Sequence, residues 1–310
     1  MKLWQQILGH SNILQSLERS LTTDKLAHAL LFVGPQGVGK KLVAQAVAQA
    51  LVCEKGPLAC GFCPACARAA HQQHEGILNI EPDGTQIKVD QAKHILEFLS
   101  LRSLSRHRVV IVDQAHLLNP QAGNSLLKVI EEPPQNTHFF LIAPSSQSVL
   151  KTLRSRSQVV AFSPLATDLL AKRVKAPQWV LQSAQGSFAK LNQLLESDEQ
   201  EVRQIAVQTL NWYVNDPDFL THELWREKFK DRSQAQKIFT YWSGLWKDAI
   251  LYQEGRQQDM VNVDQNDLVT ALAKKSRAQI LKALTDCLEL ERGVWQNRDV
   301  VLMVEKSYVD

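Results

Sequence analysis

A glycine-rich segment carries the most specific chemical pattern in the sequence. Gly34, Gly37 and Gly39 lead directly into Lys40, after an apolar run and before a segment with helical periodicity. In such a P-loop the backbone N–H groups converge on phosphate and the lysine reaches the outer phosphates, and a chance glycine turn is the alternative. A P-loop normally continues with Ser or Thr, which ligates Mg²⁺, but this chain has Lys41. The sequence therefore predicts a phosphate-binding loop that lacks its metal ligand.

A second acidic position follows the apolar run of residues 109–112. Asp113 is expected at the C-terminal edge of this strand, where an aspartate of a P-loop ATPase meets Mg²⁺. The next residue is Gln114, whereas such an ATPase uses a carboxylate there to activate water. We therefore expect the catalytic base to be missing. The alternative is that Asp113 only caps the following helix.

A cysteine cluster follows the helix that the P-loop begins. Its members are Cys53, Cys60, Cys63 and Cys66. The spacing C-x6-C-x2-C-x2-C suits four thiolates around a tetrahedral zinc ion, and a site with four protein ligands is structural. An iron–sulfur cluster and free thiols are the alternatives. The nearby His71 and His74 are expected to be solvated.

Two arginines, Arg154 and Arg156, precede the last predicted strand. Ordinary surface arginines are the simplest interpretation. The alternative is a guanidinium that projects into a neighbouring subunit's site, where its permanent charge stabilises phosphoryl transfer in trans. The sequence by itself leaves both interpretations open.

The composition is that of an ordinary globular protein. The 310 residues are 45% hydrophobic and 22% charged, with a formal net charge of +3. Disordered and fibrous classes are therefore excluded, and so small a net charge does not argue for nucleic acid. The sequence has no apolar run near the ~20 residues of a membrane helix, and its first residues lack the apolar core of a signal peptide. The clustered cysteines favour a reducing compartment, so we expect a cytoplasmic protein.

The order of elements predicts an α/β fold followed by helices. Up to about residue 164, short apolar runs alternate with helical patterns, which is typical of a parallel sheet with helices on both faces. The predicted strands are residues 29–33, 77–80, 109–112, 139–143 and 158–162. The remainder is predicted to be all-helical. The predicted domains are residues 1–164, with a zinc module at about 53–66, residues 165–205 and residues 206–310.

Two further patterns give local expectations. A helix is predicted to begin at Asn119 and Pro120 and to end at Glu132, before two prolines. Large aromatic residues concentrate in the last hundred positions, where they either pack in a core or form an assembly surface. They are Trp212, Tyr213, Trp225, Tyr241, Trp242, Trp246 and Trp295. Cys287 is expected to pack within a helix.

Several segments together resemble bacterial clamp-loader subunits of the AAA+ class. They are residues 3–8 and 28–34, the four cysteines, residues 124–134 (N-S-L-L-K-V-I-E-E-P-P) and residues 153–156 (L-R-S-R). The likeness is specific over about the first 165 residues, and beyond them it extends only to length and helical character. It implies an AAA+ P-loop domain with a zinc-binding insertion, then a small helical lid and an all-α C-terminal collar that mediates oligomerisation.

The same resemblance shows where this chain departs from its ATP-hydrolysing relatives, the gamma and tau subunits of DNA polymerase III. In those motors the P-loop ends in Lys-Thr or Lys-Ser and the acidic motif runs Asp-Glu, where this chain has Lys41 and Gln114. The strand that ends at Ala143 also lacks the polar residue with which motors sense the γ-phosphate. Arg156 does match the family's Ser-Arg-Cys element, with Ser157 replacing the cysteine. This element supplies an arginine finger to the adjacent motor.

The resemblance thus implies a non-hydrolysing stator in a five-subunit loader that places a sliding clamp on primed DNA as part of a DNA polymerase holoenzyme. The implied partners are gamma or tau motors and delta, with weaker contacts to the clamp and, through the complex, to primer–template DNA. Structural zinc is the implied metal. Whether Lys40 and Asp113 still contribute to binding of ATP or ADP is left open, because the glycine loop favours phosphate while Lys41 disfavours magnesium.

The residues also leave two alternative functions open. The first is a motor ATPase in which Lys40 and Asp113 bind MgATP while Glu131 or Glu132 activates water. The second is a zinc-containing DNA-binding adaptor that acts outside any ring. It predicts tight DNA binding with a steep salt dependence.

Overall fold

The computed structural model describes residues 1–101, 105–221, 223–296 and 298–309. The chain forms two compact units. The first comprises Met1–Arg173 with Gln185–Ala189, and the second comprises Val174–Ala184 with Lys190–Asp310. The division into three domains at residues 164 and 205 stays a prediction.

The first unit is built on a five-stranded parallel sheet, which confirms the predicted fold class. The strands are β1 (Ala29–Val33), β2 (Ile77–Ile80), β3 (Arg108–Val112), β4 (Thr137–Ala143) and β5 (Gln158–Ala161). Their order is β2-β3-β4-β1-β5, with every neighbouring pair parallel. β1 is apolar and buried throughout, as expected where helices cover both faces of a sheet. Because all strands run the same way, the loops that follow them meet at one edge.

Helices cover both faces of this sheet. The helices of the first unit are α1 (Ser11–Thr22), α2 (Lys40–Leu51), α3 (Pro64–Ala70), α4 (Val89–Ser100), α5 (Pro120–Glu131), α6 (Lys151–Arg154) and α7 (Thr167–Arg173), with 3₁₀ helices at Leu3–Gln6 and Ala115–Leu117. Successive residues of β1 enter opposite cores because side chains alternate along a strand. Phe32 packs in the core that contains α2, and Leu31 packs in the core that contains α4, α5 and α6.

The start of α5 follows the predicted capping pattern. The side chain of Asn119 accepts a hydrogen bond from the Ala122 backbone N–H at 2.8 Å, and Pro120 occupies the first turn. The helix ends at Glu131, one residue earlier than predicted, since Glu132 has the non-helical angles φ −124° and ψ 73°. This residue precedes a proline, which disfavours helical geometry there.

The rest of the described chain is helical, as predicted, and has no strand beyond residue 161. The helices are α8 (Gln178–Ser183), α9 (Phe188–Leu195), α10 (Ser197–Asn215), α11 (Glu223–Lys228), α12 (Arg232–Gln253), α13 (Asn266–Ala273), α14 (Arg277–Trp295) and α15 (Val300–Val309), with 3₁₀ helices at Phe219–Thr221, Gln257–Asp259 and Val263–Gln265. Among the helices described, none combines the length and the apolar character needed to span a bilayer.

The aromatic residues of the second unit mostly form its core. Trp225, Trp242 and Trp246 are buried, and the Trp225 ring stacks on Phe219 with 4.7 Å between ring centroids. The core interpretation is therefore confirmed for these three tryptophans. Trp295 differs, because 73% of its surface is exposed. Cys287 is buried within α14, as predicted.

Candidate functional site

The glycine-rich loop joins the end of β1 to the start of α2. Its glycines have positive φ angles of 143° at Gly34, 76° at Gly37 and 102° at Gly39, which residues with a Cβ rarely adopt. Gly37 is also closely covered, because a Cβ there would lie 2.2 Å from Ser187 Oγ and its carbonyl accepts a hydrogen bond from the Phe188 N–H at 2.9 Å. The first N–H groups of α2 have no partner within the helix, which is the physical basis of anion binding by such a loop.

Lys40 is the first residue of α2 and is only 7% exposed. Its ammonium donates hydrogen bonds to the carbonyl oxygens of Gly34 at 2.6 Å and Pro35 at 2.5 Å. Burial lowers the pKa of Lys40, and the negative charge of Asp113 offsets part of this shift. The predicted phosphate-binding lysine therefore lies against its own loop and close to the predicted acidic residue.

Lys41 lies between two carboxylates. Its Nζ is 3.2 Å from Asp113 Oδ2 and 2.5 Å from Glu81 Oε1. Burial by itself lowers the pKa of Lys41, but the hydrogen bond to Glu81 and the charge of Asp113 outweigh burial and raise it. A fixed ammonium thus neutralises the aspartate on which a magnesium site at this edge depends.

Glu81 is a residue of this site that the sequence interpretation missed. It directly follows β2, just as Asp113 directly follows β3, and the two strands pair in parallel with Ile80 opposite Val112. The two carboxylates are therefore neighbours at the sheet edge. The available signal was an acidic residue immediately after a predicted strand.

Gln114 follows Asp113 in a left-handed conformation, with φ 53°. Its backbone N–H donates to Asp113 Oδ1 at 2.9 Å, while the other oxygen of the aspartate faces Lys41. Both carboxylate oxygens are therefore engaged by groups of this chain. The Gln114 side chain supplies an amide where a motor has a carboxylate.

The four predicted metal ligands converge. The sulfur atoms of Cys53, Cys60, Cys63 and Cys66 all lie within 4.8 Å of one another, and those of Cys60 and Cys66 are 3.9 Å apart. Four sulfurs at about 2.3 Å from one zinc ion are separated by about 3.8 Å, so the cluster fits zinc. Backbone N–H groups also point at the sulfurs, for example from Cys63 to Cys60 Sγ at 3.3 Å. Such hydrogen bonds stabilise thiolates.

The ionisation of the cluster is uneven. Burial raises the pKa of Cys60, but hydrogen bonds from the backbone N–H groups of Phe62 and Cys63 outweigh this effect and lower it to about 6. Burial raises the pKa of Cys66 to about 12. Because zinc takes its sulfur ligands as thiolates, metal binding by this set releases protons.

A buried glutamine connects the cysteine cluster to α2 and to the beginning of the chain. Gln49 donates hydrogen bonds to the carbonyl oxygens of Cys66 at 2.9 Å and Met1 at 2.8 Å, and it accepts one from the Leu3 N–H at 3.0 Å. The expectation that His74 is solvated is wrong. The residue is 4% exposed and Nδ1 accepts a hydrogen bond from the Gly76 N–H, because the chain turns inward there to begin β2.

Arg156 lies at the opposite edge of the sheet from the glycine loop. It precedes β5, whose first residue Gln158 pairs with Leu30 of β1, whereas the loop follows the last residue of β1. Nε and Nη2 of Arg156 donate to Glu131 Oε2 at 3.0 and 2.9 Å, and Nη1 donates to the Thr152 carbonyl at 3.2 Å. The structure therefore brings Lys40, Lys41 and Asp113 together and keeps Arg156 apart from them.

Comparisons with known proteins give a consistent result. A family model described as DNA polymerase III, delta subunit, matches residues 9–166, and one described as the C-terminal part of the delta subunit matches residues 224–301. DNA polymerase III subunit delta′ of Bacillus subtilis is 26% identical to this chain, with 94% of this chain and 93% of that protein covered.

More distant relatives share parts of the chain or only its fold. DNA polymerase III subunit gamma/tau of Mycobacterium tuberculosis is 34% identical over 161 residues, which are 51% of this chain and only 28% of that protein. The crystal structure of a gamma-subunit-related protein of DNA polymerase III from Thermotoga maritima matches with a TM-score of 0.51 at 16% identity, covering 95% of this chain and 97% of that one. At this identity the likeness is one of fold alone.

Proposed function

We propose a function for this chain from the premise that it belongs to the DNA polymerase III delta subunit family. It acts as a non-hydrolysing stator of a clamp loader and assists the ATP-driven loading of a sliding clamp onto primed DNA. The observation that carries this proposal is the Lys41 ammonium held between Glu81 and Asp113.

The argument concerns magnesium. Hydrolysis in a P-loop site needs Mg²⁺ on the β- and γ-phosphates, held by a hydroxyl after the lysine and by the acidic residue of a strand. In this chain Lys41 replaces the hydroxyl and also pairs with the acidic residue, so a divalent cation would have to displace an ammonium group. Gln114 in addition offers no proton acceptor for the attacking water. Both substitutions support a subunit that does not turn over ATP.

Arg156 is the residue through which this subunit acts on its neighbour. Its guanidinium is partly exposed and lies at the sheet edge away from the chain's own loop. In the proposed function it enters the ATP site of an adjacent motor subunit and stabilises the charge of phosphoryl transfer there. The similarity to delta′ of Bacillus subtilis over nearly the whole chain supports this assignment.

The remaining parts have supporting roles. The four cysteines hold a structural zinc ion that fixes the insertion after α2. The helical second unit joins the collar of the loader, and the partners are gamma or tau motors and delta. Contacts with the clamp and with primer–template DNA are made through the complex.

The geometry disfavours the motor alternative. Glu131 ends α5 and pairs with Arg156 at the edge opposite the glycine loop, so it is poorly placed to activate water at that loop. Glu132 follows it directly along the chain. A general base must lie within hydrogen-bond reach of the water that it activates.

Steady-state ATP hydrolysis tests the proposal. The zinc-loaded chain is assayed with Mg²⁺ and primed DNA, first alone and then mixed with the motor and delta subunits of the same organism. We expect no turnover by the chain alone and faster turnover by the motors when it is present. Turnover by the chain alone that Lys40→Ala abolishes would contradict the proposal. No turnover by the chain alone and no stimulation of the motors, combined with tight and salt-sensitive DNA binding, would favour the adaptor.

A further inference from the structure

The side chain of Glu131 accepts two hydrogen bonds from the guanidinium of Arg156. We propose that Glu131 is a positioning residue, which holds the guanidinium of Arg156 ready for a phosphate group on an adjacent subunit. This inference rests on the proposed function, in which Arg156 acts in trans.

The hydrogen bonds leave part of the guanidinium free. A guanidinium has five N–H groups, one on Nε and two on each terminal nitrogen. Glu131 Oε2 accepts from Nε and Nη2, and the Thr152 carbonyl accepts from Nη1. Among the described residues, one N–H on each terminal nitrogen therefore has no acceptor and remains for another ligand, and two such donors match two oxygens of a phosphate group. The contacts within the chain fix the group without using up its donors.

Both residues stand on rigid parts of the structure. Glu131 is the last residue of α5, and Arg156 follows α6 by two positions. Ile130 of α5 and Leu153 of α6 are fully buried in the same core on one face of the sheet. A carboxylate attached to one helix thus fixes a guanidinium attached to the other, which is the arrangement that a reacting group needs for precise placement.

Stability alone gives a poor account of this ion pair. A negative charge at the C-terminus of a helix opposes the helix dipole, so Glu131 is unfavourable for α5 by itself. The pair is also open to solvent, with 31% of the Arg156 side chain and 57% of the Glu131 side chain accessible, and ion pairs that solvent screens stabilise proteins little. A positioning role explains why an acidic residue stands there.

The experiment measures the ATPase of the complete loader reconstituted with variants of this chain. Glu131→Ala is expected to lower kcat about tenfold and to leave the KM for ATP unchanged, because a misplaced group loses transition-state stabilisation. Glu131→Gln is expected to keep most of the rate, since the amide oxygen accepts the same two hydrogen bonds. The matched control is Glu132→Ala at the neighbouring exposed residue, which makes no side-chain hydrogen bond within the described chain and is expected to leave the rate unchanged.

A double variant completes the test. In an Arg156→Ala background, Glu131→Ala is expected to cause no further loss, since the two residues act as one unit. Size-exclusion chromatography checks that every variant still enters the loader. If Arg156→Ala slows the loader and Glu131→Ala does not, the positioning role is wrong while the proposed function stands. If Arg156→Ala has no effect, the arginine finger itself is wrong.

Two further outcomes would also overturn the inference. A faster loader with Glu131→Ala would mean that Glu131 restrains Arg156 instead of presenting it. A Glu131→Gln variant as slow as Glu131→Ala would mean that charge or proton transfer is required, which is the role that a catalytic base would have.

Discussion

The two edges of the parallel sheet differ in what they offer to a nucleotide. At the C-terminal edge, the glycine loop and Lys40 are present, but Lys41 joins Glu81 and Asp113 where a metal is required. At the N-terminal edge, Arg156 is anchored by a carboxylate, and two of its N–H groups have no acceptor in the part of the chain that the structure describes. The two edges of one sheet thus differ in kind: an ammonium occupies the acidic position at one edge, and a guanidinium is held by a carboxylate at the other.

At the C-terminal edge, which we call the closed edge, the charged side chains have partners within the chain. Lys40 donates to two carbonyl groups of its own loop, and Asp113 is engaged through both oxygens. Gly37 is covered by residues of the same unit. A buried polar group that lacks a partner destabilises a protein, and here the loop's own groups supply those partners. These contacts hold the loop in place independently of any catalytic role.

The largest effect is expected at the N-terminal edge, where Arg156 lies. Arg156→Ala should slow ATP hydrolysis by the assembled loader by about 10³-fold, because arginine fingers in related chemistry contribute about 10³ to 10⁵. Steady-state turnover of the reconstituted complex measures it. Arg154→Ala is the matched control, since the hydrogen bond of its side chain within the described chain is a long one, 3.5 Å from Nη1 to the Ser146 carbonyl. Equal losses for both variants would contradict a specific role of Arg156.

The next effect concerns the scaffold of the closed edge, since α2 begins at the glycine loop and leads into the cysteine cluster. Cys66→Ser should reduce bound zinc from about one ion per chain to nearly none, because a structural site needs all four thiolates. Metal analysis by mass spectrometry measures it. Limited proteolysis should also detect loosening of the first residues, which Gln49 ties to the Cys66 carbonyl. Cys287→Ser is the control, and loss of zinc in that variant would contradict the assignment.

Sequence patterns predicted the framework of this comparison better than its contacts. All five strands were found, and the limits of β1 and β2 agree with the prediction. β1 was legible because a buried parallel strand is a continuous apolar run. The resemblance to clamp-loader subunits was confirmed by the family match. The four cysteines were predicted to converge and do so, because their spacing is local.

Contacts between distant segments were not predictable in the same way. Glu81 and Glu131 meet their cationic partners only because strand order and helix packing bring them together. The position of Glu81 directly after a strand places it at the sheet edge, but no periodicity or motif in one sequence identifies the partner of either glutamate. The burial of His74 was missed for the same reason. Tertiary structure decided these contacts.

A smaller effect, on the affinity for ATP, is expected when the Lys41 ammonium is removed from the closed edge. Lys41→Thr removes the ammonium from Asp113 and supplies a hydroxyl, so the affinity for ATP in the presence of Mg²⁺ should rise about tenfold. Hydrolysis should stay absent, because Gln114 still lacks a carboxylate. Titration calorimetry with and without Mg²⁺ measures the change. Lys41→Met removes the charge without adding a ligand and should gain less. Equal affinities for the original chain and Lys41→Thr would mean that Lys41 does not close the site.

The smallest expected effect distinguishes the roles of Glu81 and Asp113, the two carboxylates that contact Lys41. Glu81→Gln should lower the free energy of unfolding by at most about 1 kcal/mol, because the Glu81 side chain is 58% exposed and solvent screens such a pair. Asp83→Asn, which breaks another exposed ion pair in the loop that follows the same strand, is the matched control in urea unfolding. ATP binding should not gain a magnesium dependence in Glu81→Gln, since Lys41 still lies against Asp113. A magnesium dependence of ATP binding in Glu81→Gln would mean that Glu81, and not Asp113, keeps the ammonium in place. The closed edge would then depend on the carboxylate that the sequence interpretation missed.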